Sequence, residues 1–248
     1  MNNSTSTTSA GWPTRWPADS FRWLPTAIVG LPVVLFVAYA LYGAMQHAAK
    51  MPSLTPTIIL TLIGLQTIIE AIIVGIILLA LPRISKFSLA ELGFRVPKPW
   101  QIGTAVLGAV AMVVIVEGLA SLIQAATHQK HDQSVVDLFK QVIGTKAMWF
   151  FAFFAIVVAP FMEEMMFRVF VFNTGLRYGG FWTGAIISGL FFGSAHGDLT
   201  VLVPLALGGM ILCYVYYRTR NAFCSTITHG CFNAVTVLAL IYAPNLAK

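Results

Sequence analysis

The sequence predicts an all-α fold: a polytopic transmembrane helix bundle of about seven membrane helices, within a range of six to eight, with interfacial helices beside them. Of the 248 residues, 58% are hydrophobic and only 10% are charged, whereas soluble domains carry about 25% charged residues. The mean hydropathy is +0.81. A chain of this length cannot form a soluble core large enough to hide so many apolar helices.

Seven apolar segments are each roughly long enough to cross about 30 Å of hydrocarbon as a helix. They lie at residues 25–45, 55–81, 101–126, 147–173, 180–196, 200–217 and 221–243. The segment 180–196 is the shortest, and a re-entrant helix is the alternative there. Residues 1–20 form a polar N-terminal tail rich in Ser and Thr. Residues 21–248 are predicted to be a single transmembrane domain.

The basic residues lie mainly in the connections between these segments, which is the pattern of the positive-inside rule. If the N-terminus is cytoplasmic, that side carries nine basic residues: Arg15, Arg22, Arg83, Lys86, Arg95, Lys98, Arg177, Arg218 and Arg220. The opposite side carries five: Lys50, Lys130, Lys140, Lys146 and Lys248. We therefore expect a cytoplasmic N-terminus. No basic stripe interleaved with aromatic residues indicates a nucleic-acid partner.

Two longer connections, at residues 83–100 and 128–146, are predicted to lie at the membrane interface. The second has the apolar spacing of an amphipathic helix lying on a surface, formed by Val135, Val136, Leu138, Phe139 and Val142. The three cysteines (Cys213, Cys224 and Cys231) fall in or beside late apolar segments. Their odd number and their positions indicate packing residues rather than a disulfide framework.

Seven ionisable residues lie within the predicted membrane segments, where such residues are costly and usually face the protein interior. They are Glu70, Glu117, Glu163, Glu164, Arg168, His196 and His229. Glu70 and Glu117 belong to no recognisable motif, and we interpret them as structural or supporting residues. The other five form three short patterns.

The first pattern is the segment EEMMFR, which begins at Glu163. On a helix Glu164 and Arg168 share a face and can neutralise each other. Glu163 is rotated by about 100° from Glu164 and has no obvious local partner, which suits a general base. Pro160 lies three residues upstream and removes a helix hydrogen bond.

The other two patterns are FGSAH, from Phe192 to His196, and HGCFN, from His229 to Asn233. His229 and Asn233 share a helix face, where paired donors can hold an oxyanion. Each pattern alone also has a structural explanation, because a membrane histidine often makes an interhelical hydrogen bond. Together they provide what water activation needs: a base, a second group that orients the water, and oxyanion donors.

These three motifs, EExxxR, FxxxH and HxxxN in this order, resemble the CAAX-type prenyl-endopeptidase and bacteriocin-processing (abortive-infection) family of intramembrane proteases. The segment SLAELGFR at residues 88–95 also resembles a loop of that family. The resemblance implies that Glu163 and His196 activate a water molecule for attack on a peptide bond. It further implies that His229 and Asn233 stabilise the oxyanion, and that Glu164 with Arg168 organises the site.

The resemblance implies an intramembrane endopeptidase that cleaves near the membrane interface, with its catalytic core in about residues 147–243. The expected substrate is a membrane-associated peptide or protein, prenylated at a CAAX end or of a related kind. The expected location is the inner membrane of a prokaryotic cell. A non-catalytic immunity or scaffold protein is one alternative, and a proton-coupled transporter is a weaker one, because the sequence lacks paired half-helix repeats.

The sequence favours a site without a metal cofactor. It has no HExxH motif, and an asparagine amide suits an oxyanion better than it suits zinc. The alternative is a zinc ion held by Glu163, His196 and His229 with one open position.

Overall fold

The computed structural model describes residues 54–85, 88–128, 134–196 and 199–243, without the side chains of residues 84, 85, 134, 178 and 199. Within these ranges every regular element is helical, and the all-α class is confirmed. The predicted polar tail and the predicted membrane segment 25–45 lie outside the described residues.

Nine α-helices occur in the described ranges. They are α1 (Pro56–Ser85), α2 (Pro99–Met112), α3 (Gly118–Thr127), α4 (Ser134–Val142), α5 (Ala147–Phe153), α6 (Ala159–Glu164), α7 (Asn173–Ala195), α8 (Leu199–Thr219) and α9 (Ala222–Tyr242). Three π-helical segments, Val113–Glu117, Phe154–Val158 and Met165–Phe172, join α2 to α3, α5 to α6, and α6 to α7.

Five helical stretches are long and apolar enough to cross a membrane: Pro56–Arg83, Pro99–Thr127, Ala147–Arg177, Thr200–Thr219 and Ala222–Tyr242. Each overlaps one of the predicted segments, so the prediction of membrane helices is confirmed while the exact count of seven is not. The predicted segment 180–196 is not among the five. Helix α7 is interrupted at Gly180, where φ is 76° and ψ is −172°. Residues 181–195 after this kink rise only about 22 Å.

Helices α7 and α8 approach each other closely through small residues. A side-chain carbon placed on Gly189 would lie 2.5 Å from the Ala206 carbonyl oxygen, and one on Gly193 would lie 2.5 Å from that of Leu202. Such contact between backbones is typical of membrane helices, where small residues drive association. It places Phe192, which faces the interior from α7, beside the middle of α8.

The loop before α2 is fixed to the turn between α8 and α9. The Ala222 amide donates to the Gly93 carbonyl oxygen at 3.0 Å, and the Asn221 side chain donates to that of Arg95 at 2.7 Å. The Tyr216 hydroxyl donates to the Leu92 carbonyl oxygen at 2.9 Å. Residues 88–98 and 218–222 therefore lie at the same end of the bundle. This agrees with the positive-inside pattern, which assigns the basic residues of both segments to the same side of the membrane. Which side faces the cytoplasm stays a prediction.

Helix α4 forms where the amphipathic pattern predicts a helix, but its apolar face meets protein rather than lipid. Leu138, Phe139 and Val142 are at most 2% exposed and share a cluster with Ile59 and Phe151. The predicted amphipathic helix is therefore present, and α1 and α5 bury its apolar side chains. Its position at the membrane interface stays a prediction.

Candidate active site

The segment that carries both glutamates is an α-helical turn between two π-helical segments. In the first of these, the Ala159 amide donates to the Phe154 carbonyl oxygen, five residues back. The Ala155 carbonyl would pair in the same way with residue 160, which is a proline without an N–H group. Pro160 thus leaves the Ala155 carbonyl without a backbone donor, at the level of the candidate site.

The side chain of Asn233 supplies the missing donor. Its Nδ2 atom donates to the Ala155 carbonyl oxygen at 2.8 Å. One turn earlier on the same helix, a side-chain carbon placed on Gly230 would lie 2.5 Å from the Ile156 carbonyl oxygen. Helix α9 therefore lies directly against the π-helical segment, and one of the two amide hydrogens of Asn233 is held by the backbone.

Glu164 lies at the centre of a buried charged group. Its Oε1 atom is 3.2 Å from Nη1 of Arg168 and 3.1 Å from Nδ1 of His229. The side chains of Glu164 and Arg168 are 0% exposed. The ion pair that the four-residue spacing predicts is thus present, and His229 from α9 joins it. Because a carboxylate only accepts hydrogen bonds, Nδ1 of His229 carries the hydrogen.

Arg168 is held on its other sides by an aromatic ring and a backbone oxygen. Its guanidinium carbon lies 4.5 Å from the centre of the Phe192 ring, within the range of a cation–π interaction. Its Nη2 atom donates to the Gly209 carbonyl oxygen at 3.4 Å. These contacts connect α8 and the FxxxH motif of α7 to the charged group.

Glu163 differs from its neighbour in exposure and in partners. Its side chain is 18% exposed, and its Oε2 atom lies 3.9 Å from Nε2 of His229, too far for a hydrogen bond. Oε2 is buried and, like Oε2 of Glu164, has no hydrogen-bond partner among the described residues; the difference lies in Oε1 of Glu164, which contacts Arg168 and His229. Glu163 is therefore the accessible carboxylate of the motif, and Glu164 is the engaged one.

His196 is linked to the buried charged group by Phe192, whose ring contacts both His196 and His229. The Phe192 ring lies 5.0 Å from the His196 ring and 5.4 Å from the His229 ring, between ring centres. Nδ1 of His196 lies 2.8 Å from the Phe192 carbonyl oxygen, and a carbonyl only accepts, so Nδ1 carries the hydrogen. This leaves Nε2 as the atom with a free lone pair in the neutral ring.

Residues 145–235 match the protein-family model described as type II CAAX prenyl endopeptidase Rce1-like. We call residues 145–235 the Rce1-like domain, after the family that this segment resembles. It contains all six candidate residues of the site.

Two curated bacterial proteins are similar to the chain. The membrane-embedded CAAX protease MroQ of Staphylococcus aureus is 26% identical over 193 residues, which cover 75% of this chain and 77% of that protein. The putative membrane peptidase YdiL of Bacillus subtilis is 24% identical over 145 residues, covering 55% and 57% respectively. No solved structure matches the chain significantly. The protein is an integral membrane protein, and these matches relate it to membrane proteases.

The Rce1-like domain does not gather a metal-binding set. In the part of the chain that the structure describes, no three His, Cys, Asp or Glu side chains are placed together so that they could hold a metal ion. Glu163, His196 and His229, the alternative zinc ligands, are not assembled in this arrangement. The absence of a cofactor stays a prediction.

The sequence did not predict that backbone carbonyl groups of the Rce1-like domain bind side chains of the candidate site. The carbonyl oxygens of Ala155 and Gly209 bind site side chains, and only Pro160 gave a signal that a carbonyl would be freed nearby. Of the two glutamates without motifs, Glu117 is exposed at the outside of the described bundle. Glu70 is half-buried in α1, whose buried side chains pack against the span that contains Glu163.

Proposed function

We propose that the protein is an intramembrane endopeptidase in which Glu163 is the general base. The observation that supports this most strongly is the unequal environment of the two adjacent glutamates. Glu164 is fully buried between Arg168 and His229, so its charge is compensated. Glu163 is partly exposed and faces Nε2 of His229 without a hydrogen bond, so its carboxylate can bind a water molecule.

The reaction then proceeds through a tetrahedral intermediate. Glu163 takes a proton from the water, and the water oxygen forms a bond to the carbonyl carbon of the peptide. The former carbonyl oxygen becomes an oxyanion. It accepts hydrogen bonds from the Asn233 amide and from Nε2–H of His229 in its imidazolium form, while Nδ1–H of His229 stays on Glu164. The C–N bond breaks as the nitrogen takes the proton from Glu163. The products are a carboxylic acid and an amine.

His196 orients the water in this mechanism. The contact of its Nδ1–H with the Phe192 carbonyl fixes the ring, and its Nε2 lone pair accepts one hydrogen of the water. The Phe192 ring contacts the rings of both His196 and His229. Asn233 has one amide hydrogen on Ala155 and a second hydrogen for the oxyanion.

We infer that the substrate is a membrane-associated peptide cut near its CAAX-type C-terminus, prenylated or not. The family description and the similarity to a CAAX protease support this substrate class. The positive-inside pattern supports a cytoplasmic N-terminus, which places residues 88–98 and 218–222 on the cytoplasmic side of a bacterial inner membrane.

The test is cleavage of a quenched fluorescent CAAX-type peptide, with and without its prenyl group, by detergent-purified protein. Wild type should cleave it, and Glu163→Ala should lower kcat/KM by at least about 100-fold, the usual share of a general base. Glu117→Ala is the matched control, because it removes another membrane-depth glutamate away from the site. Retained cleavage in Glu163→Ala, with Glu117→Ala equally active, would contradict the proposal.

A further inference from the structure

Two arginines lie next to each other at the end of the bundle where the loop before α2 meets the turn between α8 and α9. Nη2 of Arg95 donates to the Arg220 carbonyl oxygen at 3.4 Å. Arg95 is exposed and Arg220 is partly exposed. The only acidic residue that the structure describes at this end is Glu91, and its carboxylate accepts two hydrogen bonds from its own loop. Neither arginine therefore has a carboxylate partner among the described residues.

Arg220 has a backbone conformation that suits a different residue type. It follows the C-terminus of α8, and its φ is 51°. Helices usually have glycine or asparagine at such a position, because a side-chain carbon disfavours the left-handed conformation. The contact that closes the helix is made by the Arg220 backbone amide, which donates to the Tyr216 carbonyl oxygen at 2.7 Å. Arg218 already supplies a positive charge to the last turn of α8. The end of α8 therefore does not require the side chain of Arg220.

Apolar side chains connect the arginine pair to the candidate active site. Phe94, which precedes Arg95, belongs to the same cluster as Met162, which precedes Glu163. Phe94 also contacts Phe223 of α9, with 6.1 Å between the ring centres. The side chains of Phe94, Met162 and Phe223 are only partly buried. An apolar surface thus leads from Glu163 to Arg95.

The separation between the site and this end of the bundle fits a short peptide. His229 lies seven residues after Ala222, the first residue of α9, which is a rise of about 10 Å. An extended tripeptide also spans about 10 Å. At the opposite end, the exposed Lys146 lies 17 residues before Glu163, which is a rise of about 25 Å. A carboxylate three residues beyond a peptide bond at Glu163 therefore reaches the end with the arginine pair and not the end with Lys146.

We propose that Arg95 and Arg220 bind the free C-terminal carboxylate of the peptide substrate. Guanidinium groups bind carboxylates through charge-assisted and often bidentate hydrogen bonds, and the carboxylate supplies the missing counter-charge. The apolar surface between Glu163 and Arg95 contacts the residues between the cleaved bond and the terminus. The arginine pair thereby selects a bond at a fixed distance from the C-terminus. This inference rests on the proposed function, because it assigns one end of that substrate.

The first test compares a quenched fluorescent CAAX-type peptide that has a free C-terminal carboxylate with the same peptide as a C-terminal amide. Wild type should cleave the acid with a kcat/KM at least about tenfold higher, mainly through KM, because the amide loses the charge-assisted hydrogen bonds. Arg220→Gly and Arg95→Gln should remove this preference, and Arg95→Lys should keep part of it. Arg218→Gln is the matched control, because it removes a neighbouring exposed charge, and it should keep the wild-type preference.

Arg220→Gly also separates a binding role from a structural one. Glycine adopts a positive φ readily, so the unfolding temperature of this variant in detergent should not fall. Equal cleavage of acid and amide by wild type would overturn the proposal. Loss of the preference in Arg218→Gln would do so too, because it would indicate a general effect of positive charge. If phosphatidylglycerol raises cleavage of both peptides alike and Arg220→Gly abolishes this effect, the pair binds lipid phosphate and the proposal is wrong.

The second test needs no cleavage. The acid and amide peptides, labelled with the fluorophore alone, are titrated with Glu163→Ala protein. The acid should bind at least about tenfold more tightly, and adding Arg220→Gly to this protein should remove the difference. Such binding by a protein whose wild type cleaves no peptide would show that the proposed function has failed while the carboxylate site exists. Cleavage by wild type without a preference for the acid in either assay would show that the carboxylate site has failed while the proposed function stands.

Discussion

Nδ1 of His229 lies 3.1 Å from Oε1 of Glu164, and this contact joins two membrane spans through residues 65 positions apart. The same oxygen lies 3.2 Å from the guanidinium of Arg168. Because Glu164 serves both partners, it links the EExxxR motif to the HxxxN motif. The side chain of the adjacent Glu163 is 18% exposed, so the two glutamates of the motif have different environments.

Removing one member of the Glu164–Arg168 pair should destabilise the protein strongly. Arg168→Met leaves Glu164 buried with His229 alone, and Glu164→Gln leaves the guanidinium without a counter-charge. Each should lower the free energy of unfolding by about 3–5 kcal/mol, measured as unfolding in detergent. The double variant should be more stable than either single variant, because neither charge is then left alone. Additive losses in the double variant would contradict this interpretation.

Asn233→Ala should lower the stability of the protein, because Pro160 has no N–H group that could replace the Asn233 donor. It leaves the Ala155 carbonyl without a donor, at a cost of about 1–3 kcal/mol. Pro160→Ala restores an N–H group that can reach that carbonyl along the helix. The double variant should therefore recover unfolding stability relative to Asn233→Ala, yet it should remain inactive in the peptide assay, since the oxyanion donor is still missing. If Pro160→Ala gives no recovery, the Asn233 contact does not compensate for the proline.

Much of this arrangement could be read from spacing within one helix. The Glu164–Arg168 pair follows from the four-residue spacing of the two side chains along a helix. Five of the seven predicted segments overlap helices that can span a membrane. The start of the predicted segment 180–196 coincides with the kink at Gly180. The sequence did not show that helix α7 already begins before this kink, at Asn173.

Relations between helices could not be read from the sequence in this way. Nothing in the pattern around Glu70 indicates that α1 runs beside the span of Glu163, because a single chain records spacing along a helix and not the neighbour across it. The π-helical segments also lack a sequence signature apart from Pro160. These segments change which side chains share a helix face before and after the glutamates. The Ala155 carbonyl could therefore be identified as the acceptor of the Asn233 amide only from the structure.

Metal chelation should leave cleavage unchanged. Among the described residues, Glu163, His196 and His229, the alternative zinc ligands, are not placed together as a metal-binding set. Incubation with a strong zinc chelator should not lower kcat/KM, and added zinc should not raise it. Comparison with a zinc endopeptidase in the same detergent verifies that the chelator works. Loss of cleavage that zinc reverses would restore the zinc alternative.

Gly230→Ala should disturb the site through the backbone. The added carbon would lie 2.5 Å from the Ile156 carbonyl oxygen, so α9 must move away from the π-helical segment and take His229 and Asn233 with it. Displacements of about 1 Å can lower rates by about 100-fold, so kcat/KM should fall at least tenfold. Gly103→Ala is the matched control, because Gly103 lies in α2 with nothing within 4 Å of an added carbon. That variant should keep wild-type activity and gain up to about 1 kcal/mol in unfolding free energy. Equal activity of the two variants would show that close contact at Gly230 does not position the site.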